Sequence, residues 1–194
     1  MSTGRLLARA AIGGIFMGHG TQKLFGWFGG PGLDATGKMM EGLELRPARR
    51  NAVAASVTET TGGALLALGA LTPLAGAMAT AAMATAVRKV HLDKGFWNTD
   101  GGFEFNLALV AGALAIVDSG PGSPSVDESL GLELKGGKWA LFALVAGLAG
   151  SAAVIEAGRR HGEESATADA AEQGAAAAPD DEDVAERPTA QAAV

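Results

Sequence analysis

Apolar residues along this chain are concentrated in five segments, which short polar connections separate. The pattern predicts helices over residues 6–25, 52–71, 74–91, 103–117 and 138–157. An α-helix needs about 20 residues to cross the apolar core of a bilayer, and several segments approach that length. The second, third and fifth segments have no charged face of the kind that a helix in a soluble bundle presents to water. The sequence therefore predicts an all-α fold, a polytopic membrane helical bundle, in preference to a soluble bundle.

The first connection, residues 26–50, contains a further helical pattern. Residues 35–45 are amphipathic, which predicts a short helix at the membrane interface or lying over the bundle. The composition agrees with close helix packing, because Gly and Ala fill much of the apolar segments in a chain that has 29 Gly residues. The chain has no Cys, which excludes disulfides, thiolate metal sites and iron–sulfur clusters.

The net charge of −6 is unevenly distributed. Beyond Gly162 there are nine acidic residues and one basic residue, so this tail carries −8 and the rest of the chain +2. The tail has few large apolar side chains, and residues 162–194 are predicted to be disordered because they cannot offset their ordering entropy. No basic stripe with interleaved aromatic residues is present in the sequence, so no nucleic-acid partner is expected.

The end of the first predicted helix carries an unusual polar patch. His19, Gln22 and Lys23 are spaced i, i+3 and i+4, so they share one helical face. Ionisable groups within a membrane are costly and need partners. With five crossings, His19 and Glu59 are both expected about 10 Å below the same membrane surface, on the basis of the rise per residue.

Other polar residues are expected on that side, and together they predict a shared polar pocket below the connections at residues 26–50 and 92–102. The candidate catalytic residues are His19, Glu59, Glu104 and His91, and the candidate ligand-binding residues are Gln22, Lys23 and Arg88. Glu156 is expected to join them, whereas the opposite helix ends hold little beyond Thr72, Asp118 and Lys138. Gly62 and Gly63 follow Glu59 by one turn and are expected to let a helix pack closely, so the carboxylate should face protein.

Structural roles compete with each of these assignments. Glu59 can serve only as an interhelical hydrogen-bond partner, Lys23 can extend its ammonium group to the membrane interface, and His91 can be an interfacial residue. The three Trp residues are most simply interface aromatics. No metal site is predicted, because the candidate residues His19, Glu59, His91 and Glu104 are not paired at helical ligand spacing.

The distribution of Lys and Arg predicts the orientation. Ten Lys and Arg residues lie on the side with the tail and with the first and third connections, residues 26–50 and 92–102. The other side carries four. The positive-inside rule therefore places the polar pocket and the tail on the cytoplasmic side of a multi-pass plasma-membrane protein.

At these residues the sequence resembles the DoxX family of small bacterial membrane proteins. The matching features are FMGHGTQKL at residues 16–24, Glu59 with Gly62 and Gly63, His91 before GFW at residues 95–97, GGFE at residues 101–104, and GPG at residues 120–122 before SVD at residues 125–127. The resemblance covers residues 5–130. It implies a four-helix membrane domain over residues 1–130, with an additional transmembrane helix at 131–161 and the acidic tail at 162–194 lying outside the family domain.

The family also implies a membrane component of a redox system, related to quinone-linked thiosulfate oxidoreductase subunits. We expect the His/Glu/Lys cluster to handle protons or a quinone, while a partner redox enzyme supplies electrons, because the chain has no identifiable redox cofactor of its own. The expected partners are the lipid bilayer and either that enzyme or a second copy of the chain. The alternative is a non-enzymatic scaffold or a small solute or ion transporter.

Overall fold

The computed structural model describes residues 3–176, with side chains to residue 173, and none of residues 3–176 forms a β-strand. Its helices are α1 (Thr3–Phe25), α2 (Gly32–Gly42), α3 (Ala48–Leu68), α4 (Thr72–Ala86), α5 (Glu104–Ser119), α6 (Val126–Ser129) and α7 (Gly137–Ala176). A π-helical turn, Val87–His91, continues α4. The all-α prediction is confirmed, and each of the five predicted segments is a helix.

The five long helices α1, α3, α4, α5 and α7 pass up and down the bundle in alternation. We call the end with the start of α1 and the end of α3 the lower end, and the end with Phe25 and His91 the upper end. The largest packing interfaces join α1 to α3 and α4 to α7, while α5 packs against α4 and α7. Helix α2, predicted over residues 35–45, packs on α3 at the upper end and is confirmed as a cover over the bundle.

Length and composition decide which of the helices can cross a bilayer. Helix α7 is the helix among residues 3–176 that is by itself long and apolar enough to cross a membrane, over Gly137–Gln173. Helices α1 and α3 have 23 and 21 residues, close to the about 20 needed, but both carry charged residues. Helix α4 has 15 residues and gains five more from the π-helical turn.

The end of α7 differs from the prediction. Residues 162–176 were expected to be disordered and instead continue the helix to Ala176, while the rest of the predicted tail lies outside the described residues. Alanine has the highest helix propensity, and Arg159 pairs with both Glu156 and Glu163 along the helix surface. These local interactions extend the helix beyond its apolar part.

Glycines bring α1 and α3 into backbone contact. A Cβ atom added to Gly63 would lie 2.6 Å from the carbonyl oxygen of Gly13 and 2.6 Å from the amide nitrogen of Met17. Added to Gly13, it would lie 2.5 Å from the carbonyl oxygen of Gly63. Only glycine fits at these two positions, and the predicted close approach of a helix at Gly63 is confirmed.

Replacing Gly63 with leucine should therefore force α1 and α3 apart. We expect the substitution to destabilise the fold by about 3 kcal/mol, which is the upper end of the usual cost of overpacking a core. The cost is high because the added side chain would meet backbone atoms of α1, which cannot move aside as a flexible side chain can. Gly14→Leu is the matched control, since an added Cβ atom at Gly14 meets nothing within 4 Å. Unfolding of both variants by denaturing detergent, followed by circular dichroism, measures the difference. Equal stability of the two variants would contradict the packing of α1 on α3.

Candidate functional site

The upper half of the bundle contains a cavity of about 310 Å³. It lies between α3, α4 and α7, and α2 forms its cover. Most of its wall is apolar, from residues that include Met39, Met40, Leu43, Leu45, Ala55, Ala82 and Val154. Its ionisable lining residues are Lys23, Glu59, Lys89 and His91. The cavity therefore combines a largely apolar wall with a small set of charged and polar groups, as ligand sites commonly do.

A buried ion pair joins α1 to α3 at the cavity wall. The Nζ atom of Lys23 lies 2.5 Å from Oε1 and 2.6 Å from Oε2 of Glu59, so both carboxylate oxygens accept from one ammonium group. The Glu59 side chain is 5% exposed and that of Lys23 is 23% exposed. Because a buried carboxylate is costly without a partner, this pair explains how α3 carries an acid in an apolar helix. The prediction that Glu59 faces protein is confirmed.

Two polar contacts attach the cover to the bundle. The buried hydroxyl of Thr36 in α2 donates to the Gly32 carbonyl at 2.7 Å and lies 3.3 Å from the carbonyl oxygen of Lys23 at the end of α1. On the other side, Lys89 Nζ lies 3.6 Å from Oε2 of Glu44, which follows α2. Met40 of α2 and Leu45, which follows α2, are buried together with Ala52 of α3. The cover thus contacts the same lysines that line the cavity.

The π-helical turn places Lys89 and His91 on the cavity. An extra residue per turn shifts side-chain directions relative to a regular α-helix, and such turns are frequent at functional sites. The Nδ1 atom of His91 lies 2.6 Å from the carbonyl oxygen of Gly101. A carbonyl oxygen can only accept, so Nδ1 carries the hydrogen and Nε2 is the ring atom that can accept a proton. The sequence gives no pattern for a π-helical turn, and Lys89 was missed as a site residue for this reason.

The structure does not bring all the predicted site residues together. Lys23, Glu59 and His91 line the cavity, whereas His19 lies on an exposed face of α1 and Arg88 is exposed. Glu104 is half-buried and accepts a hydrogen bond from the amide nitrogen of Asn98 at 3.0 Å, so it stabilises the third connection. These three side chains point away from the cavity. Residue counts fix only how deep a residue lies along its helix, whereas rotation about the helix axis decides what its side chain faces.

Two further residues of the predicted cluster have other surroundings. Gln22 is half-buried against Gly30, where an added Cβ atom would meet Gln22 atoms at 2.5 to 2.7 Å, and it does not line the cavity. Glu156 pairs with Arg159 and Arg160 on its own helix, both on the surface. The expected single polar pocket is therefore smaller than predicted and contains the Lys23–Glu59 pair with His91 and Lys89.

The lower end is richer in buried polar groups than predicted. Asp127, 1% exposed, accepts from the amide nitrogens of Leu71 and Thr72 at 2.7 and 3.0 Å and from the Thr72 hydroxyl at 2.5 Å. It thereby caps the start of α4. Arg9, 3% exposed, donates to the carbonyl oxygens of Leu68 and Pro124.

The expectation that these helix ends hold little was wrong. Asp127 lies outside the predicted helices, in the connection after α5, whereas Arg9 lies inside the first one and enters the sequence prediction only as a charge that bears on orientation. The sequence did offer one indication, since Ser125 and Glu128 have the spacing of a capping box, and Ser125 accepts from the amide of Glu128 at 3.3 Å.

Within residues 3–176, no three His, Asp or Glu side chains form a group that could hold a metal ion. The aromatic side chains at the upper end lie on the surface, with Trp27 and Trp97 56% and 63% exposed. Each packs on a neighbouring ring: Trp27 lies tilted against Phe25 with 5.1 Å between centroids, and Trp97 meets Phe96 edge to face with 5.0 Å between centroids. Exposed aromatic rings at one end of a bundle are typical of a membrane interface.

Comparison with known proteins identifies one family. Residues 4–92 match the family model for DoxX, a family of helical membrane proteins. The match contains the resemblance residues from α1 to the π-helical turn, and it confirms both the resemblance and the predicted membrane bundle. It ends before α5, so part of the predicted family domain at residues 1–130 lies beyond it. No curated protein and no solved structure matches the chain.

Proposed function

Because the chain belongs to the DoxX family, we propose that it is an integral membrane subunit of a redox system and binds a quinone head group in the upper cavity. The observation that carries this proposal is the composition of the cavity wall, in which Lys89 and His91 accompany a buried Lys23–Glu59 pair on otherwise largely apolar walls. A quinone suits such surroundings, because its two carbonyl oxygens accept hydrogen bonds from donors at the ring edge. The two faces of its ring pack against apolar side chains.

The four ionisable residues have different parts in this proposal. Glu59 is occupied by Lys23 through both oxygens, so the pair fixes the relative position of α1 and α3 and shapes the wall. The Lys89 ammonium lies 3.6 Å from the exposed Glu44, beyond hydrogen-bond distance, so it can turn toward a carbonyl oxygen in the cavity. His91 is oriented by the Gly101 carbonyl and can transfer a proton through Nε2. We therefore assign proton handling to His91 and ligand orientation to Lys89.

The electrons would come from a protein partner. Reduction of a quinone takes two electrons and two protons, and the chain has no Cys and no flavin-binding motif with which to supply electrons itself. We propose that the partner is a redox enzyme docking at the cytoplasmic surface of the plasma membrane. The excess of Lys and Arg on the upper side, predicted from the sequence, supports this orientation and a cytoplasmic tail.

Equilibrium binding of decylubiquinone to the purified full chain in lipid nanodiscs tests the proposal. We expect saturable binding that Lys89→Met and His91→Gln each weaken about tenfold, because each loses a hydrogen bond that involves an ionisable group. His19→Gln is the matched control, since His19 is exposed outside the cavity, and it should change the affinity less than about twofold.

Two results would overturn this assignment. One is an equal loss of affinity for decylubiquinone in His19→Gln and His91→Gln. Because His19 lies outside the cavity, an equal loss would mean that the cavity is not the binding site. The other is no binding of any quinone together with solute or ion flux in liposomes that Glu59→Gln abolishes. That combination would favour the alternative, a small transporter.

A further inference from the structure

Helix α7 lies outside the family match but forms part of the cavity wall. The match ends at residue 92, and α7 begins at Gly137. Gly150, Ser151 and Val154 of α7 line the cavity opposite α3 and beside α4. The sequence had suggested that this helix is an addition outside the family domain. Its position shows that the cavity is bounded jointly by the matched segment and by a helix that the match does not include.

Small residues determine how closely α7 approaches α4. At Gly147, an added Cβ atom would lie 2.5 Å from the Cβ atom of Thr80, so the helices are in contact there. One turn further along, the same addition at Gly150 would lie 3.7 Å from the Cβ atom of Ala81, an ordinary contact distance, and nothing else is closer. The space beside Gly150 is therefore open for part of a ligand.

A hydrogen bond holds this part of the wall together. The hydroxyls of Thr85 in α4 and Ser151 in α7 are 3.0 Å apart, and Thr85 also lies 2.8 Å from the carbonyl oxygen of Ala81. Ser151 is 1% exposed, so the bond is protected from competing water. It fixes the rotation of α7 and keeps the Cα atom of the neighbouring Gly150 toward the cavity.

We propose that Gly150 is a specificity-determining residue, whose missing side chain sets the bulk of ligand that the cavity accepts. This inference takes the identity of the ligand, a ring compound of quinone size, from the proposed function. The space beside Gly150 is observed in the structure and does not depend on that function. A side chain added at position 150 would occupy the space between α7 and α4 and would compete directly with the ligand for it.

Binding of decylubiquinone to Gly150→Leu and Ala149→Leu in nanodiscs tests the specificity role. Both variants place leucine on the same turn of α7, but Ala149 is exposed and faces away from the cavity. We expect at least about tenfold weaker binding for Gly150→Leu, the discrimination that apolar bulk gives in a pocket, and less than about twofold change for Ala149→Leu. Equal affinities of the two variants would overturn the inference while leaving the proposed function intact.

A second measurement decides the inference even when the wild-type chain binds no quinone. The chain has no Cys, so Gly150→Cys, Ala149→Cys and the fully buried Ala143→Cys each carry one thiol. Reaction with alkyl methanethiosulfonates of increasing size, followed by intact mass, reports the space at each position. We expect Gly150→Cys to react with small reagents and to reject large ones, Ala149→Cys to react at a rate that does not fall with reagent size, and Ala143→Cys not to react. Behaviour of Gly150→Cys like either control would overturn the inference.

Discussion

Replacing Glu59 with leucine is expected to destabilise the folded protein by about 3 kcal/mol, because it leaves the Lys23 ammonium partly buried without its carboxylate. The usual cost of breaking a buried pair extends to about 5 kcal/mol, and the lower figure applies because Lys23 retains 23% exposure. The loss should appear as a lower midpoint in unfolding by denaturing detergent. It should be accompanied by loosening of α1 from α3, since these are the helices that the pair joins.

The double variant Lys23→Met/Glu59→Leu separates loss of the pair from loss of packing. Both charges are then replaced by apolar groups of similar size, and we expect most of the stability to return. Asp34→Asn is the matched control, since it breaks the ion pair of Asp34 with Arg49, whose side chains are 89% and 72% exposed. It should cost less than about 1 kcal/mol. A double variant no more stable than Glu59→Leu would mean that the ion pair is not the cause.

Replacing Asp127 with alanine is expected to cost about 3 kcal/mol. The substitution removes the acceptor for the amide groups of Leu71 and Thr72 and for the Thr72 hydroxyl at the start of α4, and the Asp127 position is only 1% exposed. Leu71 adds to this sensitivity, because its φ of 44° is in the left-handed region and its amide is held by Asp127 Oδ1. The connection between α3 and α4 should become the least stable part of the lower end.

Hydrogen exchange measured by mass spectrometry locates this effect. We expect faster exchange of the amides at residues 70–75 in Asp127→Ala, a smaller change in Asp127→Asn, which keeps one acceptor, and none in Glu128→Ala. Glu128 is the exposed neighbour and gives the control for a change of charge at the same turn. Uniform acceleration across the bundle, with no concentration at these amides, would contradict the capping role of Asp127.

Sequence periodicity predicted the helices well because apolar runs and Gly/Pro connections both report local preference. The first predicted segment ends at Phe25, as α1 does, and the third ends at His91, as the π-helical turn after α4 does. Both residues precede connections that contain Gly. The prediction of disorder after Gly162 rests on low hydropathy, and it misses the extension of α7 to Ala176. Helix propensity and the pairs of Arg159 with Glu156 and Glu163 are enough to continue a helix that is already nucleated.

The candidate site was predicted in part. Depth along the helices predicted that His19 is level with Glu59 and that Lys23 is on the same side, because residue counts from a connection fix depth. In the structure the partner of Glu59 is Lys23. Rotation about the helix axis is fixed by packing, so the sequence could not show that Gly20 packs against Thr60 while His19 beside it faces outward. Neither the π-helical turn that places Lys89 nor the contribution of Gly150 from α7 has a sequence pattern of its own.

We propose that the upper cavity is the ligand site of this membrane protein. Photolabelling with an azido-quinone in membranes that contain the full chain, followed by peptide mapping, shows where such a ligand binds. We predict that the label is found on the cavity-lining parts of α2, α3, α4 and α7, and that excess decylubiquinone prevents it. Labelling confined to the exposed aromatic residues around Trp27 and Trp97, or unaffected by decylubiquinone, would contradict the claim.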